Sequence, residues 1–197
     1  MLNIYQQTIT KPLTFSGIGL HSGKQVKMTI YPGKEDQGIS FKRIDLQKDN
    51  VILADYKSVS SAKLCTTLEN KFGAKVSTIE HLLAALYISE IDNAVIEINS
   101  EEVPIMDGSA KNFVETFKKT KIKTLNKKRK YLKILDKISL NDGDKNISIE
   151  PSNQTFEVNF KLNYTNKIIG NQSNNINFQT DNLDEVCESR TFCLFED

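Results

Sequence analysis

The chain has 197 residues, enough to bury one or two cores. Hydrophobic residues at 39% and charged residues at 26% exclude a disordered segment, and a net charge of +1 argues against nucleic acid or an anionic membrane as the main partner. The longest apolar run, Leu82 to Ile88, is too short to span a bilayer, and MLNIYQQTITK at the N-terminus lacks the basic-then-apolar order of a secretory signal, so a cytoplasmic protein is expected.

In chain order, Val26, Met28 and Ile30 alternate as a strand that stops at Pro32-Gly33, and Ile39 with Phe41 forms another short strand. Residues 76–89 read as a helix, with Ile79, Leu82, Leu83 and Leu86 at i, i+3, i+4 and i+7. Its other side carries Ala84, Ala85 and Ile88, so a helix held between layers is expected. Ala94, Ile96 and Ile98 alternate as a strand, the loop EEVPIMDGSA follows, and Phe113, Val114 and Phe117 mark a second helix. The stretch KKTKIKTLNKKRK, from Lys118 to Lys130, carries eight basic residues without interleaved aromatics; it reads as a solvated helix end and interdomain linker more than as a phosphate-binding patch.

Beyond that stretch the pattern restarts. A shift of 119 residues places Leu13 on Leu132, Phe15 on Ile134, Met28 on Ile147, Ile30 on Ile149, Pro32 on Pro151 and Phe41 on Phe160 without a gap. A duplicated α+β unit accounts for this, with the second copy ending before any counterpart of the 76–92 helix.

Three cysteines, Cys65, Cys187 and Cys193, form no C-x-x-C pair and are odd in number, as reduced thiols would be. Only two histidines exist, His21 and His81, so metal chemistry has few donors to draw on. Glu80 and His81 stand side by side in the first turn of the apolar helix. One reading is the capping box Ser77-Thr78-Ile79-Glu80, in which serine and glutamate satisfy orphan amides, with His81 as a half-buried core histidine. The other is half of a metal-hydrolase site: the positive end of the helix favours a carboxylate and a neutral imidazole, and neighbouring side chains diverge by about 100°. A catalytic zinc needs three protein ligands and an open position, so the pair alone does not decide. GIGLHSG (Gly17 to Gly23) is either a tight hairpin connection or a pocket loop; no helix follows it, which excludes a dinucleotide fingerprint. VPIMDGSA reads as a loop feeding a helix N-terminus, and Thr191 and Phe192 by themselves read as strand residues.

Together, and in this order, TIEHLLAAL, GIGLHSGK, KLCTTL, IDNAVIEIN, VPIMDGSA and SRTF resemble the UDP-3-O-acyl-N-acetylglucosamine deacetylases of lipid A biosynthesis, from about Thr8 to Phe192. The resemblance implies an α+β protein of two related two-layer α/β sandwich domains from a duplicated unit, here residues 1–123 and an incomplete 124–197. It implies a Zn2+ amidohydrolase in which His81 is the first metal ligand, Glu80 the general base and Thr191 the oxyanion donor. By the same likeness Leu64 and Cys65 line the site near the acyl group and Phe192 contacts substrate. Lys145, Tyr164 and Asp197 fall near the nucleotide diphosphate, and His21 lies at the mouth with no catalytic role. The family's other two zinc ligands and its general acid would lie past Asp197, so the 197-residue chain is expected to lack a complete site. The expected partner is UDP-3-O-acyl-N-acetylglucosamine, with no nucleic acid and a monomeric state. Two other readings stand beside it: an inactive UDP-sugar-binding module, and the first part of a deacetylase fused to a 3-hydroxyacyl-acyl-carrier-protein dehydratase.

Overall fold

The computed structural model describes residues 4–153 and 156–190, which divide into two compact units: 4–129 with 184–190, and Lys130–Leu183. The first unit contains, in chain order, β1 (Tyr5–Ile9), β2 (Leu13–Ile18), β3 (Gln25–Pro32), β4 (Ile39–Arg43), β5 (Val51–Leu53), β6 (Val59–Ser61), β7 (Thr67–Glu69), β8 (Lys75–Val76), α1 (Glu80–Ile88), β9 (Ala94–Ile98), α2 (Lys111–Lys118) and β10 (Ile122–Lys128). The second holds β11 (Ile138–Asp142), β12 (Lys145–Ile149), β13 (Glu157–Asn163) and β14 (Asn171–Asn177), after which α3 (Asp184–Glu188) belongs to the first unit again.

The main sheet has the order β2-β3-β9-β4-β5, antiparallel except for the parallel β4–β9 pair. Alternation dictates its faces. Val26, Met28 and Ile30 turn inward, as do Ile96 and Ile98 on β9 and Phe41 on β4, and all are buried in one core. The helices supply the other layer, so the architecture is an α+β sandwich. Phe113 and Phe117 of α2 meet Phe15 of β2 edge-on, with ring centroids 5.0 and 6.3 Å apart. On α1, Leu82, Ala85 and Leu86 are buried, whereas Ala84 and Tyr87 are exposed. Among the described residues the helix is therefore covered on one side, not sandwiched on both. It also begins four residues later than the expected start at Val76, because Val76 belongs to β8 and Ser77 bridges Glu102.

The basic stretch is not a linker. Its middle is β10, which pairs antiparallel with β1 from Ile9↔Ile122 to Tyr5↔Lys128. Its lysines stay exposed, as an edge strand permits. Arg129, just past β10, donates from Nε to both Asp92 carboxylate oxygens at 2.9 Å and from Nη2 to the Glu90 carbonyl at 2.8 Å.

In the second unit β11 pairs with β12 and β13 with β14. The repeat holds for β12 and β13, which fall on β3 and β4 under the 119-residue shift. It slips for the preceding strand. Leu13 faces Ile30 in the first unit, but Ile149 is faced by Ile138 and not by Leu132. The cause is the connection: β2 and β3 are joined by the long Gly19–Lys24 turn, β11 and β12 by only Gly143-Asp144. Ile138, Leu140, Ile147 and Ile149 share one face of the hairpin and all are exposed.

Candidate active site

The approach to α1 tests the capping-box reading of Ser77 and Glu80. Ser77 donates its amide to the Glu101 carbonyl at 2.9 Å and its hydroxyl to the same oxygen at 3.1 Å, so it caps nothing on α1. Thr78 sits at φ 55, a left-handed conformation that a β-branched residue rarely adopts, and its hydroxyl donates to Glu102 Oε1 at 2.9 Å. Ile79 holds the N-cap position of the helix and supplies no side-chain cap. Glu80 does not reach back to its own turn; its Oε1 accepts from the backbone amide of Thr66. The capping-box reading is thus overturned, because both of its members are engaged by distant segments.

His81 is half-buried, and its Nδ1 is the one buried side-chain nitrogen or oxygen among the described residues that lacks a hydrogen-bond partner. A buried polar atom left unpaired costs about 1–3 kcal/mol, so such atoms are rare. Beside the pair runs the KLCTTL loop. Leu64 stands exposed at φ 64, Cys65 is half-buried with Sγ 3.9 Å from Thr67 Oγ1, and Thr66 holds Glu80.

Glu102 is a node that sequence reasoning missed. It is 1% exposed, and its carboxylate accepts from the His21 amide at 2.9 Å, the Ser22 amide at 2.8 Å and the Thr78 hydroxyl. Burial alone would push the Glu102 carboxyl up, but the His21 amide, the Ser22 hydroxyl and amide and the Thr78 hydroxyl together hold it below the usual glutamate range. The amides of the GIGLHSG turn are therefore filled by a carboxylate of the chain itself, and His21 projects from that turn exposed. One signal was available: a turn with several glycines and free amides needs an acceptor, and Glu102 opens the VPIMDGSA loop.

Asp107 of that loop accepts from the Ser109 hydroxyl at 2.8 Å and lies 3.5 Å from Arg190 Nη2, and these contacts hold its carboxyl below the usual range. Lys111–Glu188 and Lys118–Asp184 ion pairs fasten α3 to α2, with Cys187 buried between the chains of lysines and carboxylates. Of the remaining expected site residues, Lys145 lies on β12 and Tyr164 after β13, both in the second unit. Thr191, Phe192 and Asp197 lie outside the described residues.

A family model described as UDP-3-O-acyl N-acetylglycosamine deacetylase matches residues 6–197. The chain belongs to this deacetylase family. A UDP-3-O-acyl-N-acetylglucosamine deacetylase of Geotalea uraniireducens (strain Rf4) is 43% identical over 189 residues, which cover 95% of this chain and 61% of the relative. Proteins of the same name from Nautilia profundicola and Wigglesworthia glossinidia brevipalpis are 41% and 37% identical, over 63% and 66% of their own lengths. The chain thus spans less than two-thirds of these deacetylases. Among its described residues no group of three His, Cys, Asp or Glu side chains could hold a metal ion. Among the described residues no helix is long and apolar enough to cross a membrane.

Proposed function

We propose that this chain carries the Glu80–His81 half of a zinc-dependent deacetylase that hydrolyses the N-acetyl group of UDP-3-O-acyl-N-acetylglucosamine in cytoplasmic lipid A biosynthesis. The observation that carries the reading is the buried, unpartnered His81 Nδ1 next to a carboxylate that caps nothing. His81 would supply one ligand, and zinc, once held, would act as a Lewis acid and bring the pKa of water toward neutrality. Glu80 takes a proton from the attacking water as the water oxygen bonds to the acetyl carbon. The Thr66 amide holds that carboxylate in place. Thr191 donates a hydrogen bond to the carbonyl oxygen as it gains charge. The carbon–nitrogen bond then breaks as a general acid donates a proton to the departing amine, and acetate leaves. Leu64, Cys65 and Phe192 line the acyl side, and Lys145, Tyr164 and Asp197 serve the nucleotide.

The lack of a three-donor cluster among the described residues favours a second reading, a module that binds the UDP-sugar without hydrolysing it. Zinc content, sugar-nucleotide binding and acetate release separate the two. The 197-residue chain is expected to hold less than one zinc and to release no acetate, while a form with a complete zinc set holds one zinc and releases acetate. Nucleotide binding by both forms with acetate released by neither would establish the module instead.

A further inference from the structure

Two stretches far apart in the chain converge on one carboxylate. Glu102 Oε1 accepts from the His21 amide and the Thr78 hydroxyl, both at 2.9 Å, and Oε2 accepts from the Ser22 amide at 2.8 Å. The backbone around it is bound to the same place: Ser77 N donates to Glu101 O and Val103 N to Ser77 O. Gly19 shows how closely the turn is moulded to it, since a Cβ there would stand 2.5 Å from Glu102 Oε2. Two residues beyond Thr78 the chain presents Glu80 and then His81. A left-handed Thr78 is held only by its surroundings, and its hydroxyl bond to Glu102 is the side-chain part of that hold.

We propose that Glu102 is a positioning residue: its carboxylate clamps the His21–Ser22 turn to the left-handed Thr78 and thereby sets the aim of the Glu80 and His81 side chains. This deepens the deacetylase reading and rests on it for its consequence in turnover, although the clamp can be measured without any turnover.

The test uses Glu102→Gln, Thr78→Val and Thr78→Ser. Glu102→Gln keeps the size but puts an amide group against one of the two backbone donors. Thr78→Val cuts only the link toward α1, and Thr78→Ser keeps the hydroxyl. With two histidines in the chain, each imidazole gives its own NMR signal. Glu102→Gln is expected to speed amide exchange at Ser22 or His21 and to move the His81 ring signals. Thr78→Val should move the His81 signals while the His21 and Ser22 amides stay protected, and Thr78→Ser should restore the native signals. In a zinc-complete form, Glu102→Gln and Thr78→Val are expected to lower kcat by about 10–100-fold with KM little changed, as misplacement of a reacting group does. A purely structural carboxylate would lower the melting temperature alone; native His81 signals and full kcat in folded Thr78→Val would overturn the proposal. If Glu102→Gln does not fold, the Thr78 pair decides. A zinc-complete parent without turnover, whose His81 signals still respond to Thr78→Val and recover in Thr78→Ser, would sink the deacetylase reading and leave the clamp standing.

Discussion

Glu80→Gln, made in a form of the protein with its zinc set complete, lowers kcat for acetate release by about 10²–10⁴-fold, the usual worth of a positioned general base. KM for the sugar nucleotide stays close to that of the parent, because the substitution removes a proton acceptor needed only as water attacks. Folding is preserved for a local reason. Glutamine has the same length and keeps a carbonyl oxygen for the Thr66 amide, the one partner among the described residues that fixes this side chain. Steady-state kinetics on the variant, with circular dichroism as the folding control, measures both halves of the expectation. A variant that kept most of its turnover would remove Glu80 from the chemistry.

The second large effect is on stability, and it separates the two units. Phe113→Ala is expected to cost about 3–5 kcal/mol, the range for emptying a buried aromatic site. Phe113 is 1% exposed and carries the edge contact between α2 and Phe15 that joins helix layer to sheet. Leu140→Ala, on the second unit's hairpin, should cost under about 1 kcal/mol, since that side chain is 67% exposed and has little burial to lose. Urea melts of the two variants compare them directly, with the midpoint falling strongly for the first and barely for the second. Equal shifts would mean that the β11–β12 face is packed after all.

Much of the first unit can be read from periodicity, because most of its strands and helices have one face in a single core. Val26, Met28 and Ile30 alternate in the sequence and are buried in the fold, and Phe113, Val114 and Phe117 mark the inner face of α2. What escaped was decided by long-range partners. Ser77-Thr78-Ile79-Glu80 has the local form of a capping box, yet Glu101 and Glu102 bind its serine and threonine and Thr66 binds its glutamate. The stretch 122–128 looks like a solvated basic run, because a strand at a sheet edge needs only backbone pairing and can leave its lysines in water. In the second unit the repeat was visible but its register was not. Asn141-Asp142-Gly143-Asp144 signals a two-residue hairpin turn, and that short turn is what moves Ile138 into the place expected for Leu132.

Within the site, the Glu80–His81 pair was legible from its position at the start of an apolar helix, and the surrounding scaffold was not. Glu102 is one of two adjacent glutamates before a proline loop, and nothing in its spacing marks it as the buried member. Its burial follows from three donors that only the fold assembles. A lone imidazole with an unpartnered nitrogen is likewise a property of packing, visible once α1 has been placed against the sheet.

Zinc titration of the 197-residue chain, followed through the ring nitrogen signals of its two histidines, tests most directly whether His81 stands ready for a metal. The account predicts that the His81 signals shift at a zinc concentration that leaves the exposed His21 unchanged. Signals from His21 moving first, or an unresponsive His81, would contradict it.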